Sequence, residues 1–391
     1  MQNVSSSNSQ AVNVPKLRFP GFEEEWTKSN IGDIGSFFKG APLSKADISK
    51  NGTPFILYGE LYTTYGEVAT DIKRKTEATV SDEYISKTGD VIIPTSGETP
   101  EDIATATCVM TPGVILAGDL CIMRNPKIDG RFLSYSINHK AKYKIARIAQ
   151  GKSIVHIRPD EVEKISINYP TSAEQEKILK FLNLLAQKIE KQQALVDALK
   201  LYKRGVFSAL SKRYLVNTTE EKLRAITICH DSRRIPMNSQ ERIHKKGLYP
   251  YYGANGIQDF VNDYIFEGEF VLLAEDGGHF EDFVEYSIAQ YAVGKIWVNN
   301  HAHILQATKC DSKFLFYMLE HKDIRAFING TSRAKLNQED MLQITVPFPS
   351  IDIQHKITKT LENIDTKIAY SQEVLNASII YKTALLQQMF I

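Results

Sequence analysis

The stretch "YPTSAEQEKI", Tyr169 to Ile178, reads as the entrance to a helix: Pro170 disfavours helix at the residue before it, and Thr171-x-x-Glu174 or Ser172-x-x-Gln175 has the spacing of a capping box. A near copy, "FPSIDIQHKI", stands at Phe348 to Ile357, where Pro349, Ser350 and Asp352 do similar work 179 residues later. Both entrances lead into the same periodicity. Steps of four and three from Ile178 give Ile178, Leu182, Leu185, Ile189, Gln192, Val196, Leu199, Lys203, Val206 and Leu210, eight of ten apolar. The second copy gives Ile357, Leu361, Ile364, Ile368, Ser371, Leu375, Ser378, Lys382, Leu385 and Met389, seven of ten apolar. A sustained 3.5-residue period predicts a coiled-coil seam rather than the wider stripe of a helix lying on a globule. A helix over residues 173–212 would reach about 60 Å. Polar Gln192 and Ser371 at equivalent seam positions suit two helices paired in antiparallel fashion; the alternative is that each packs on its own domain.

The duplication extends outward from the helices. Pro42 and Tyr58-Gly59 fall on Pro236 and Tyr252-Gly253 at an offset of 194, Gly89 on Gly268 at 179, and Asp129, Phe132 and Leu133 on Asp311, Phe314 and Leu315 at 182. Gly151, Ile165, Gln175, Leu182 and Tyr202 fall on Gly330, Ile344, Gln354, Leu361 and Tyr381 at 179. Two copies are too few for a solenoid, so the chain is a duplicated unit with approximate two-fold symmetry. Each copy opens with short apolar runs between turn residues, "TPFILYGE" and "GDVIIPTSGE" in the first, "GLYPYYGANG" and "GEFVLLAEDGGHF" in the second, which predict strands. Helices are expected over 132–149 and 313–327. The fold class is mixed α/β (α+β), with two similar globular domains separated by two long helices. The polar start, "MQNVSSSNSQAVNV", is expected to be a mobile tail.

At 391 residues the chain suits two or three domains. Its 43% apolar and 24% charged content is that of a soluble globular protein, and no run approaches the ~18 apolar residues of a membrane helix, so a cytoplasmic protein without membrane contact is expected. Cys108, Cys121, Cys229 and Cys310 show no CxxC spacing, and buried thiols are expected. A formal net charge of +1 excludes binding to nucleic acid by overall charge: any such contact is local or shared with partners.

No phosphate loop, GxSxG elbow, HExxH or dinucleotide fingerprint is present, and Asn125-Pro126 is followed by Lys127 rather than by the rest of an Asn-Pro-Pro-aromatic motif. His301-x-His303 lies in an expected strand, where residues two apart share a face, but no further ligand accompanies it at metal spacing, and no metal site is expected. The tips carry the contrast. "TSGET" (Thr95 to Thr99) stands where the second copy has "EDGGH" (Glu275 to His279), and "YGELYTTYG" where it has "YGANGIQDF". Two domains of one frame with different tips suit the reading of two different surfaces.

"VPKLRFPGFEEEW" at Val14 to Trp26, the two proline-led helix entrances and the order domain, long helix, domain, long helix closely resemble the DNA-specificity subunit of Type I restriction-modification systems over roughly residues 14–391. The resemblance implies target recognition domains at 15–171 and 214–350, each reading half of a split, asymmetric double-stranded DNA sequence, after a tail at 1–14. It implies spacer helices at 172–213 and 351–391 that set the gap and dock methyltransferase subunits. It implies no catalysis by this chain: two modification subunits would methylate adenine with S-adenosylmethionine, and two restriction subunits would translocate and cleave with ATP. A stand-alone bipartite DNA-binding protein and a coiled-coil scaffold are the alternatives. From the loop tips, the candidate DNA-reading residues are Tyr62, Thr64, Lys73, Arg74, Thr95, Ser96 and Lys152 in the first copy, and Arg233, Arg234, Tyr251, Asn255, His279, Arg333 and Lys335 in the second.

Overall fold

The computed structural model describes residues 13–124, 126–151, 154–330 and 334–391, so most of the expected tail lies outside the described residues. The chain divides into two compact units, one of Met1–Gln192 with Val374–Ile391 and one of Gln193–Glu373. Among the described residues no helix is long and apolar enough to cross a membrane.

In the first unit, Thr27–Asn30 pairs antiparallel with Ser166–Tyr169, tying the start of the unit to the entrance of the first long helix. A five-stranded sheet follows the order Ser36–Lys39, Leu120–Arg124, Asp90–Pro94, Thr107–Val109, Val68–Ala69. Against it packs a helical stretch from Gly130 to Ile148 whose middle, Ile137–Ala141, is a π turn. The wider turn contains Asn138, whose side chain accepts from Ala106 N at 2.7 Å and donates to Ala106 O at 2.9 Å. Trp26, Phe132 and Phe390 meet in the core with centroid separations of 5.1 to 6.4 Å.

The second unit repeats the plan. Glu220–Lys222 pairs with Thr345–Pro347. The sheet runs Thr227–Cys229, Ala302–Ala307, Phe266–Ala274, Ala289–Val298, Lys246–Gly253, Gly256–Val261. The helix expected over 313–327 is shorter, Ser312–Leu319, because Glu320 O accepts from Ile288 N (2.9 Å) at the sheet and the next turn folds in to bury Ile324. Cys108 and Cys121 are buried as expected, whereas Cys229 and Cys310 are only half-buried; burial pushes all four thiols up to about 12.

The long helices are Ser172–Tyr214 and Ile351–Met389. All twenty seam positions are buried or half-buried. In the first unit Ile178 and Leu182 share a core with Leu385 and Met389, and in the second Phe207 and Leu210 share one with Ile357 and Leu361, so the early turns of each helix meet the late turns of the other and the pair is antiparallel. The capping box at the first entrance is a correction. The Glu174 carboxylate is taken by Arg18 through two 2.8 Å bonds. Gln175 reaches backward instead, donating to Pro170 O (2.8 Å) and accepting from Asp129 N (3.0 Å).

Candidate nucleic-acid interface

Each unit brings three residues together at one sheet end, by the same backbone hydrogen bonds. In the first, Thr95 donates its N–H to Asp119 O (2.8 Å) and accepts from Ile157 N (3.1 Å), while a short antiparallel ladder sets Ser96 opposite His156. Ser96 Oγ lies 2.7 Å from Asp119 Oδ2 and 2.8 Å from His156 Nδ1. In the second, Glu275 donates its N–H to His301 O (2.8 Å) and accepts from Leu336 N (2.8 Å), while a bridge sets Asp276 opposite Lys335. His301 Nδ1 lies 2.6 Å from Asp276 Oδ1. Backbone equivalence therefore aligns Ser96 with Asp276, Asp119 with His301 and His156 with Lys335, at offsets of 180, 182 and 179. The frame repeats and the chemistry changes.

Both places are open. Asp119 and His156 are exposed on the rim of a cleft of about 600 Å³ that Lys39, Ser96 and Arg158 also line. His301 and Lys335 keep 40% and 48% of their side chains accessible, enough for each to meet a ligand from solvent. The neighbouring cleft of about 400 Å³ is lined by Asn255, Gln258, Asp276, Gly277 and His301. Gly277 adopts φ +64°, a conformation that a side chain would disfavour, and its carbonyl accepts from Asn255 Nδ2 at 2.9 Å.

A buried ion cluster supports the second site. Glu275 receives Arg234 at 2.7 Å and Lys335 at 3.0 Å, and His303, almost fully buried, faces Asp231 at 2.5 Å while its Nε2 donates to Leu336 O at 2.8 Å. Burial pushes the Asp231 and Glu275 carboxyls up, but hydrogen bonds from His303 to the one and from Arg234 and Lys335 to the other hold both below their ordinary values. Asp231, Glu275 and His303 lie close enough to share a metal ion. The cluster is a poor metal site nonetheless. Arg234 and Lys335 already supply positive charge to Glu275, and Asp231 Oδ1 accepts from Ile304 N at 2.9 Å.

The residues singled out from sequence fall in several places. Thr95 and Ser96 lie at the first site, with Asn255 and Lys335 at the second. Arg234 stands behind Lys335 as part of its support, and Arg233 is exposed with its guanidinium 4.9 Å over the Phe266 ring. Tyr62, Thr64, Lys73 and Arg74 lie elsewhere in the first unit: Arg74 meets Glu60 at 3.0 Å, Thr64 donates its N–H to Glu60 O at 2.9 Å, and Lys73 pairs with Asp71. His279 stacks on Tyr286 at 4.6 Å. Tyr251 is placed in the core rather than at a tip: its ring packs with Val261 and Trp297, and its hydroxyl meets Met237. Lys152 and Arg333 lie outside the described residues. Sequence reasoning passed over Asp119, His156 and Asp276 and took His301 only as half of a metal pair. The internal offsets were the signal that aligns them.

Two duplicated α/β units joined through a pair of antiparallel long helices define the class of protein. The family described as Type I restriction modification DNA specificity domain matches residues 23–200 and 227–379, and the chain belongs to that family. It is 44% identical over 130 residues to a putative type I restriction enzyme specificity subunit of Haemophilus influenzae, a match covering 33% of this chain and 32% of that protein. It is 22% identical over 395 residues to a type I restriction enzyme specificity subunit of Methanocaldococcus jannaschii, covering 90% and 88% of the two chains. In fold it is similar to the crystal structure of a Type I restriction-modification S subunit from M. genitalium, with a TM-score of 0.62 at 17% identity over 97% of this chain and 99% of that one.

Proposed function

We propose that this chain is the DNA-specificity component of a type I restriction-modification assembly, in which each unit reads one half of a split double-stranded sequence. The observation that carries the reading is membership of the specificity family across both copies, together with matched frames whose tips differ in chemistry. In this reading 15–171 and 214–350 are the recognition domains, and 172–213 and 351–391 are the spacers. Adenine methylation from S-adenosylmethionine belongs to the modification subunits, and ATP-driven translocation and cleavage to the restriction subunits.

A net charge of +1 favours shared DNA binding over a stand-alone reader. Docking surfaces fit the same scheme. Leu201 and Tyr202 stand 69% and 60% exposed on one long helix, and Ile380 and Tyr381 stand 69% and 58% exposed on the other, at the repeat offset of 179. A duplicated apolar pair suits two copies of one partner.

The test is to assay the chain alone and with modification subunits for methyl transfer from labelled S-adenosylmethionine. Transfer only in the mixture, at a split site, is expected; transfer by the chain alone contradicts the proposal.

A further inference from the structure

We propose that the base-reading positions of the two units lie in the two equivalent clusters, Ser96/Asp119/His156 and Asp276/His301/Lys335, with Asp119 reading a hydrogen-bond donor on a base edge in one and Lys335 reading acceptors in the other. This rests on the DNA-specificity reading above and adds which residues decide the sequence.

Three observations converge on these positions. The backbone geometry is the same in both units, so a ligand held in one register by the frame meets the same three positions in either copy. The side chains there differ in kind, as positions selecting different bases must. Ser96, Asp119 and His156 line one open cleft beside Lys39 and Arg158, and Asp276 and His301 line the other beside Asn255 and Gln258, with Lys335 set opposite Asp276 and 48% of its side chain accessible. These rims suit phosphate and base-edge contacts respectively.

The chemistry assigns a preference to each. Asp119 is an exposed acceptor: Oδ2 takes the Ser96 contact, and the remaining carboxylate lone pairs suit an exocyclic amino group, cytosine N4 above all. Lys335 is a donor anchored from below by Glu275 at 3.0 Å; its two other ammonium protons suit guanine O6 and N7. Ser96 and the half-buried Arg234–Glu275 pair are positioning residues, because they hold Asp119 and Lys335 and need not touch a base.

The experiment uses the full chain assembled with its modification subunits and compares the parent with Asp119→Asn and Lys335→Gln, both near-isosteric changes at open positions. Methylated adenines are mapped by sequencing, and relative rates are measured on duplexes randomised one position at a time. Asp119→Asn is expected to relax discrimination roughly ten- to hundredfold at one position in one half-site. Lys335→Gln is expected to do the same at a G in the other half only, with melting temperatures unchanged.

Either variant retaining the parental motif and rates overturns the proposal. So does a uniform loss across all sequences, which marks a backbone contact, or relaxation in both halves from one variant. A parent complex that shows no split motif at all overturns the underlying DNA-specificity reading instead, and the two failures are distinguishable. If Lys335→Gln melts lower than the parent, Lys335→Arg keeps both the pair to Glu275 and the donors that suit guanine, so it must retain the preference for G that Lys335→Gln loses, and a Lys335→Arg variant that loses it overturns the proposal.

Discussion

Lys382 Nζ of the second long helix lies 3.3 Å from Glu67 Oε2, and Glu67 Oε1 lies 2.8 Å from His139 Nε2. The same seam position in the first helix, Lys203, meets Asp365 at 2.7 Å and Glu320 at 2.9 Å. Both lysines also sit over a tyrosine, Tyr135 at 5.7 Å and Tyr317 at 4.9 Å. A polar break in each apolar seam is thus a point where a long helix is pinned to a globular layer.

Burial pushes the Glu67 carboxyl up, but the His139 hydrogen bond and the Lys382 charge overcome it and hold the group at about 2. The folded value is below the unfolded value of about 4.3, so the stabilisation is fully present above about pH 5 and is lost as pH falls toward 2. The shift corresponds to roughly 3 kcal/mol. Glu67→Gln should lower the stability of the first unit by a similar amount at pH 7 and flatten its acid dependence, measured by urea unfolding at several pH values. A variant that unfolds like the parent at pH 7 shows that the contact contributes nothing.

The repeated helix entrance makes a second prediction. Gln354 donates to Pro349 O and accepts from Asp311 N, each at 2.9 Å, as Gln175 does with Pro170 and Asp129. Gln175→Ala or Gln354→Ala leaves a buried carbonyl and a helix-capping amide without this partner, at a cost of about 1–3 kcal/mol. Hydrogen exchange at the Asp129 or Asp311 amide should speed up in the matching variant and stay unchanged in the other unit.

The long helices were legible because a seam is a local, periodic signal, and their antiparallel pairing followed from polar seam residues. The role of Gln175 was not, since its partner Asp129 lies 46 residues away and the capping-box spacing offered a nearer answer. Tyr251 misled for a related reason: it stands near a loop tip in sequence, whereas its burial depends on Met237 and Trp297, which are distant along the chain. Asp119 and His156 carry no motif. The Thr95–Asp119 backbone bond and the ladder that sets Ser96 opposite His156 bring them together.

The exposed helix pairs predict assembly. Tyr202→Glu should weaken the binding of one modification subunit and Tyr381→Glu that of the other, each leaving a complex with one subunit fewer by mass measurement while the chain's own melting is unchanged. Equal loss of both subunits from either single change would show that the two surfaces are not independent docking sites.

Spacing offers a separate test. Duplicating Ala194–Asp197 adds about 6 Å of helix, and the gap in the methylated site is expected to grow by about one to two base pairs with the bases at each end unchanged. An active variant that keeps the parental gap would place control of spacing in the partner subunits.

Independent reading of DNA by two units of one frame is the expectation that the duplication carries. Its most direct measurement is a genome-wide map of methylated adenines in cells carrying the parent chain beside cells in which residues 15–168 are exchanged for the corresponding domain of a related subunit. The account predicts a split motif in which one half changes and the other half and the gap stay as they were. A map in which both halves change together, or neither does, would contradict it.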